Sequence, residues 1–141
     1  MSTAHQATCV ALAQGALLIE GPPGSGKSTL ALMLIDRGAR LIGDDGVLLR
    51  AEAGRVMAAP HPNTRGLIEV RNLGLIDLPA VKEAAAALVI RLDPAAPRFI
   101  DSAETTRLCG LDLPLVRLWP DSPALPLKAE WAMRRYGLSP G

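Results

Sequence analysis

The sequence predicts an α/β fold of the phosphate-loop nucleotide-binding class, formed as one domain over residues 1–141 from a strand-rich sheet and few helices. Residues 21–29 read GPPGSGKST and match the phosphate-loop pattern G-x-x-x-x-G-K-[ST] at every required position. An apolar strand candidate, residues 16–19, precedes this loop, and an apolar helix candidate, residues 30–35, follows it. The hydrophobic content of 49% is mostly aliphatic, which is typical of a buried sheet.

The loop predicts a site for a nucleoside triphosphate with Mg²⁺. Its glycines let backbone N–H groups point inward at a phosphate, and the helix N-terminus adds a partial positive charge. Lys27 would contact the β- and γ-phosphates, and the Ser28 hydroxyl would ligate Mg²⁺. A chance glycine-rich turn is the alternative, which the order of strand, loop and helix disfavours. The expected nucleotide contacts are Gly21, Pro22, Pro23, Gly24, Ser25, Gly26, Lys27, Ser28 and Thr29.

Apolar periodicity and turn residues place the other elements in order. In the first half we expect strands at 7–13 and 16–20, a helix from 28 to about 37, a strand at 40–42, and a hairpin of 47–49 with 55–57. In the second half we expect a strand at 67–70, a loop at 71–77, a helix at 81–87, and strands at 88–92 and 113–118. A closing helix at 127–136 would place Leu127, Trp131 and Arg134 on one stripe.

Composition argues against several classes of protein. The net charge is +1 without a long charge block, and aromatic residues are few, so a nucleic-acid surface is not expected. No apolar run reaches the roughly 18 residues of a membrane span, and no secretory signal is visible, so we expect a cytoplasmic protein. Cys9 and Cys109 lie in apolar surroundings without metal-ligand spacing, which predicts buried free thiols.

Two adjacent carboxylates, Asp44 and Asp45, follow the strand expected at 40–42. In phosphate-loop proteins an acidic residue at the end of a neighbouring strand serves Mg²⁺, directly or through water. Adjacent side chains on an extended chain point in different directions, so one carboxylate can face the metal and the other a hydroxyl. A polar turn is the alternative, because Asp-Asp-Gly is also good turn chemistry.

Three segments together resemble the catalytic domain of HPr kinase/phosphorylase: residues 21–28, residues 37–45 (RGARLIGDD) and residues 66–74 (GLIEVRNLG). The resemblance covers about residues 3–110 and is to the short proteobacterial form. It implies an HPr kinase-like fold and a serine kinase that uses ATP and Mg²⁺ on an HPr-type phosphocarrier of the phosphotransferase system. It also implies a reverse reaction, in which inorganic phosphate removes the serine phosphate and releases pyrophosphate, and assembly into a homo-hexamer.

The same resemblance implies catalytic roles for individual residues. His5 matches a histidine just before the first strand of the family's catalytic domain, although a terminal residue without a role is the alternative. Lys27 matches the phosphate-binding lysine. One of Asp44 and Asp45 matches the aspartate that takes the serine proton, and spacing favours Asp45. Arg107 matches an arginine that steadies the transferring phosphate, with a surface arginine as the alternative.

Ser28 and Glu69 match the family's metal ligands, although alternation alone would allow Glu69 to be a solvent-facing strand residue.

Two features depart from the family pattern. Asn72 stands where the motif has glycine, and asparagine tolerates a left-handed backbone better than most residues. The late loop rich in proline, arginine and glycine, linked to the dephosphorylating reaction, is not visible, so the resemblance supports the kinase reaction better than phosphorolysis.

Two other classes of function remain open from the sequence. A small-molecule kinase or ATPase could use the same loop, but the short connections leave little room for a lid and an acceptor pocket. A non-catalytic nucleotide sensor is the other alternative, and the intact Lys27, Ser28 and aspartate pair argue against it.

Overall fold

The computed structural model describes residues 1–140, which form eleven strands and two helices. Neither helix in this range is long and apolar enough to cross a bilayer. The strands of the first half are Thr3–His5 (β1), Thr8–Leu12 (β2), Gly15–Glu20 (β3), Arg40–Gly43 (β4), Val47–Glu52 (β5) and Arg55–Pro60 (β6). Those of the second half are Leu67–Val70 (β7), Gly74–Asp77 (β8), Ala84–Leu92 (β9), Glu104–Leu108 (β10) and Leu111–Leu118 (β11). The helices are Lys27–Asp36 (α1) and Leu125–Tyr136 (α2).

Nine strands form one mixed sheet, with the long strand β9 at its branch point. The main path runs β1-β5-β6-β9-β3-β2-β4, and β11 with its antiparallel partner β10 also joins β9. Strand β9 pairs in parallel with β3 on one side. On the other side, the first residues of β9 pair with β6 and the last residues of β9 pair with β11. Strands β7 and β8 form a separate two-stranded hairpin. The parallel strands β3 and β9 therefore end side by side, where the phosphate loop begins.

Both faces of the central strands are buried, because each face is covered by a different layer. In β3, Leu17 and Ile19 pack into a core shared with α1 and α2, whereas Ala16 and Leu18 pack into a second core shared with β5 and β6. Strands buried on both faces read as continuous apolar runs. This burial explains why the ALLI segment of β3 lacks polar alternation.

The fold class predicted from the sequence, a strand-rich phosphate-loop α/β fold with few helices, is confirmed. One element prediction was wrong, since residues expected to form a helix at 81–87 lead into strand β9. The alanine run has high helix propensity, but its members lie between neighbouring strands, and tertiary packing overrides propensity. The close approach of β3 and β9 requires glycine at position 15, because a Cβ there would lie only 2.7 Å from the Ala85 carbonyl oxygen and 3.2 Å from the Ala87 Cβ.

Four further differences concern local features. Residues 74–77 of the expected loop form β8, and strands β1 and β10 were not predicted. Cys109 is exposed in the turn between β10 and β11 with φ 53, whereas Cys9 is buried as expected. Helix α2 buries Ala129 and Met133, while the predicted stripe of Leu127 and Trp131 faces outward with exposures of 44% and 65%. The buried residues of α2 are instead Leu125, Pro126, Ala129, Ala132 and Met133.

Candidate active site

The phosphate loop connects the end of β3 to the start of α1. Gly24 and Gly26 have φ values of 78° and 99°, a left-handed conformation that glycine adopts without steric cost. Left-handed residues of this kind allow backbone N–H groups to face one concave surface, which is how such loops bind phosphate. Lys27 begins the helix, and its Nζ donates a hydrogen bond of 2.8 Å to the Gly21 carbonyl oxygen. The loop therefore places backbone donors and a lysine at the same helix N-terminus.

A cavity of about 380 Å³ lies over this loop. Residues of three separate segments meet around it: the loop, the end of β4 and the end of β7. The hydroxyl of Ser25 is buried in the loop and has no hydrogen-bond partner within residues 1–140. The lining residues are Pro23, Gly24, Ser25, Gly26, Lys27, Ser28, Thr29, Leu32, Asp44, Asp45, Glu69, Val70 and Arg71.

Asp44 holds these segments together. Its Oδ1 accepts hydrogen bonds from Ser28 Oγ at 2.6 Å and from Thr8 Oγ1 at 3.1 Å. Its Oδ2 accepts from the backbone N–H of Glu69 at 2.9 Å. One carboxylate thus joins β2, α1 and β7. Thr8 is fully buried, and its place as a single polar residue in an apolar strand was the available sequence signal for this contact.

Asp45 lies in a different environment from Asp44. It has a left-handed backbone, φ 61, and its side chain is exposed at the cavity. Its backbone N–H donates to Thr8 Oγ1 at 3.3 Å, but within residues 1–140 its carboxylate makes no side-chain hydrogen bond. The structure therefore presents one carboxylate that is held in place and one that is open to the cavity.

The β7–β8 hairpin contributes Glu69 and Arg71, both of which line the cavity. Glu69 lies in β7, and Arg71 begins the turn that follows this strand. A Cβ placed on Gly24 would lie 3.7 Å from an Arg71 Nη2, so the guanidinium lies against the loop. The sequence prediction had not included Arg71. Asn72, in the motif's glycine position, has φ 73.

The residues around the cavity are suited to a nucleotide with a hard cation. Ser28, Asp44 and Glu69 offer oxygen donors, which Mg²⁺ prefers, and Mg²⁺ takes one or two carboxylates and completes its shell with water and phosphate oxygens. Within residues 1–140 no group of three or more His, Cys, Asp or Glu side chains could hold a metal by itself. The orphaned Ser25 hydroxyl also fits a wall that receives a polar ligand.

His5 lines a second cavity, of about 600 Å³, whose lining includes Gly21 and Pro22 at the start of the phosphate loop. Its Nε2 lies 2.8 Å from Glu20 Oε2, and Arg91 donates to Glu20 Oε1 from Nη2 at 2.7 Å and from Nε at 3.2 Å. Burial alone would raise the pKa of Glu20, but the hydrogen bonds from His5 and Arg91 outweigh it and lower that pKa. Glu20 and Arg91 were not predicted as site residues.

Arg107 is not brought to either cavity. Its guanidinium bonds within the β10–β11 hairpin, to Asp112 Oδ1 at 3.1 Å and to the Gly110 carbonyl oxygen. Its neighbours Thr106 and Leu108 line the second cavity, so strand alternation directs Arg107 to the other side. The predicted contact between Arg107 and phosphate has no support in this arrangement.

The mixed sheet and the loop between β3 and α1 define an α/β protein with the phosphate-loop kinase fold. Over residues 1–91 the chain matches the model of the HPr serine kinase C-terminal domain, and it belongs to that family. The predicted family resemblance is confirmed.

Individual relatives agree with this assignment. HPr kinase/phosphorylase of Clostridium tetani is 41% identical over 75 residues, which are 53% of this chain and 25% of that protein. The protein of the same name from Chlorobium chlorochromatii is 34% identical over 126 residues, 79% of this chain and 37% of that protein. This chain therefore spans about a quarter to somewhat more than a third of these relatives. A solved structure of the Hpr(Ser) kinase/phosphatase from Coxiella burnetii superposes with a TM-score of 0.83 at 28% identity, covering 94% of this chain and 88% of that one.

Proposed function

We propose that this chain is an ATP-dependent protein kinase that phosphorylates a serine of an HPr-type phosphocarrier, with Mg²⁺ as cofactor. The observation that carries the proposal is the meeting of the phosphate loop, the Asp44–Asp45 pair and Glu69 around one cavity. Membership of the HPr serine kinase family and the names of the relatives supply the substrate class. The reaction uses a nucleotide and a phosphocarrier of the cell interior, so we place it in the cytoplasm.

Each part of the cavity has a role in this proposal. The loop N–H groups and Lys27 bind the β- and γ-phosphates and stabilise the charge that develops during transfer. Ser28 and Glu69 would hold Mg²⁺, with Asp44 fixing the Ser28 hydroxyl at 2.6 Å. When bound, the metal neutralises phosphate charge. Asp45, whose carboxylate is open to the cavity, accepts the proton of the attacking serine hydroxyl.

Two wider properties belong to the same proposal. With inorganic phosphate bound in place of the γ-phosphate, the same groups would run the reverse attack on phosphoserine and release pyrophosphate. We also propose a homo-hexamer, on the family resemblance alone. Sedimentation velocity would test the assembly, and pyrophosphate release from the phosphorylated carrier would test the reverse reaction. Arg107 has no part in the proposal, because it bonds within its own hairpin.

The kinase reaction is tested by transfer of ³²P from γ-labelled ATP to purified HPr-type carrier. We expect label on one carrier serine, identified by mass spectrometry, and loss of label when that serine is alanine. Lys27→Ala should abolish transfer while leaving the fold, since its Nζ contacts only loop carbonyl groups within residues 1–140. Label on a small molecule, release of free phosphate alone, or full transfer by Lys27→Ala would contradict the proposal.

A further inference from the structure

We propose that Glu20 is a positioning residue, which holds the imidazole of His5 beside the start of the phosphate loop, and that Arg91 holds Glu20 for this task. The part of this inference that concerns phosphate transfer rests on the proposed function. The part that concerns the imidazole rests on the geometry of three side chains alone.

The two oxygens of Glu20 have separate partners. Arg91 donates twice to Oε1, at 2.7 and 3.2 Å, and His5 Nε2 lies 2.8 Å from Oε2. The guanidinium therefore fixes the plane of the carboxylate and leaves one oxygen for the imidazole. The Glu20 side chain is only 13% exposed, and that of His5 is 25% exposed, so water competes weakly for these bonds.

The chain topology gives this contact a role in addition to the backbone pairing of β1. Strand β1 has three residues, lies at the edge of the sheet and is held by pairing with β5, in which His5 lies opposite Val47. Glu20 ends β3 and lies opposite Arg91 in the parallel pairing with β9. The Glu20 side chain therefore connects the short edge strand β1 to the two central strands of the sheet.

The position of Glu20 along the chain also links it to the loop. Gly21 follows it directly, and the Gly21 carbonyl oxygen accepts the hydrogen bond of Lys27 Nζ at 2.8 Å. Gly21 and Pro22 line the same cavity as His5, Glu20 and Arg91. In this arrangement the imidazole lies at the side of the loop where the phosphate-binding segment starts.

The chemistry of the pair determines which nitrogen of His5 carries a proton. An ionised carboxylate accepts hydrogen bonds and cannot donate one, so Nε2 must be the donor toward Glu20. In a neutral imidazole this leaves the lone pair on Nδ1. Nδ1 is therefore the nitrogen that is free to accept a proton or a hydrogen bond. Glu20 thus determines both the direction of the ring and its tautomer.

The test uses Glu20→Gln, which keeps the size of the side chain and removes its charge. The chain offers a matched control in Glu130, a partly buried glutamate that pairs with Arg37 at 2.9 Å and is 17% exposed. Glu130 lines neither of the two cavities described above. A loss caused only by removing a glutamate–arginine pair would appear equally in Glu130→Gln.

The first measurement is the ¹⁵N spectrum of the imidazole rings. The chain contains two histidines, so His61→Gln assigns the signals of His5. At a pH where His5 is neutral we expect the Nε2–H tautomer in the parent and in Glu130→Gln, and a mixed tautomer population in Glu20→Gln. An unchanged His5 spectrum in Glu20→Gln would overturn the proposal.

The second measurement is the rate of phosphate transfer to the carrier. We expect Glu20→Gln to lower the turnover rate by about 10- to 100-fold, the range found when a group that orients another functional group is removed. The KM for ATP and the rate of Glu130→Gln should stay near the parental values. The double variant Glu20→Gln, Arg91→Gln should remain slow. Recovery in the double variant would mean that Glu20 only neutralises Arg91, which would overturn the proposal.

Failure of the proposed kinase function and failure of the inference about Glu20 give different results. A parent chain without transfer activity contradicts the proposed function, while the imidazole spectra still decide the role of Glu20. A parent that transfers phosphate, with Glu20→Gln at the parental rate, contradicts only the present inference.

Discussion

At the scale of single residues, Asp44 and Asp45 show how neighbours in the chain acquire different chemistry. Three hydrogen-bond donors from β2, α1 and β7 occupy the oxygens of Asp44. The left-handed backbone at Asp45 turns the next carboxylate away from those donors and leaves it exposed at the cavity. A carboxylate that already accepts three hydrogen bonds is suited to fixing geometry, and an open one is suited to accepting a proton.

Asp45→Asn should lower serine phosphorylation by roughly two to four orders of magnitude, the usual contribution of a general base. ATP should bind with near-parental affinity, because the loop and Lys27 are unchanged. Single-turnover transfer rates and nucleotide titrations check both points. Asp44→Asn serves as the comparison. It should weaken Mg²⁺-dependent nucleotide binding, since it disturbs the acceptor of the Ser28 hydroxyl. If both variants transferred phosphate at the parental rate, Asp44 and Asp45 would be turn residues only, and the proposed role of Asp45 as the base would be wrong.

Glu69→Gln should raise the Mg²⁺ concentration needed for half-maximal activity, because it would remove one charged oxygen ligand of the proposed metal site. Asp77→Asn is the control on the same hairpin, since Asp77 is exposed, lies opposite Leu67 and does not line the cavity. The measurement is the rate of transfer as a function of Mg²⁺ at constant ATP. If Glu69→Gln and Asp77→Asn showed the same metal dependence as the parent, Glu69 would be a strand-surface residue.

Much of the candidate site could be predicted from the sequence, because its residues lie within motifs. Lys27 and Ser28 belong to the loop pattern, and Asp44, Asp45 and Glu69 belong to the family segments; the structure places all five around one cavity. Thr8, Glu20 and Arg91 could not be found in this way. Their contacts depend on which strands lie side by side, and the parallel pairing of β3 with β9 joins residues 71 positions apart.

At the scale of elements, strand β9 decides how closely the sheet can pack. It pairs with β3, β6 and β11, and its first half consists of four alanines. Local propensity predicts a helix for such a run, so the sequence pattern alone gave the wrong element there. To predict a strand there, one must know which strands lie beside it. The most important neighbour is Gly15, whose backbone lies against Ala85 and Ala87.

Gly15→Ala should lower the free energy of unfolding by about 1–3 kcal/mol beyond any backbone effect, because overpacking of a closely packed site costs about that much. The added Cβ would lie 2.7 Å from the Ala85 carbonyl oxygen and 3.2 Å from the Ala87 Cβ. Gly54→Ala is the matched control, since Gly54 also has a positive φ, 77°, but has nothing within 4 Å of the added Cβ. Denaturant titration measures both. Equal losses would show that backbone conformation, and not packing, is responsible.

At the scale of the whole molecule, the last third of the chain completes a core that the family match does not reach. The family model ends at residue 91, in strand β9. Strand β11 then pairs with β9, and α2 buries Leu125, Ala129 and Met133 in the core that also contains α1. The helix that carries the phosphate loop is therefore supported from the C-terminal part of the chain.

Binding of Mg²⁺ and ATP should stabilise the whole molecule, since a ligand that binds only the folded state shifts the unfolding equilibrium. At a hundred times the dissociation constant the gain is about 2.7 kcal/mol, which corresponds to a rise in Tm of about 5 to 10 °C. Lys27→Ala should lose most of this rise, and AMP should produce little of it in the parent. Differential scanning calorimetry checks these values. An equal rise with AMP would place the nucleotide outside the phosphate loop.

The hydrogen bond between Asp44 and the Glu69 amide has a further consequence, for how the site can be observed. Only this one backbone N–H of the β7–β8 hairpin, within residues 1–140, donates to the carboxylate that also receives the Ser28 hydroxyl. Its proton resonance and exchange rate should therefore respond to any event at that carboxylate, although the hairpin belongs to a separate sheet. A single peptide proton can then act as a built-in reporter, through which the state of the site is read without substrate, label or turnover.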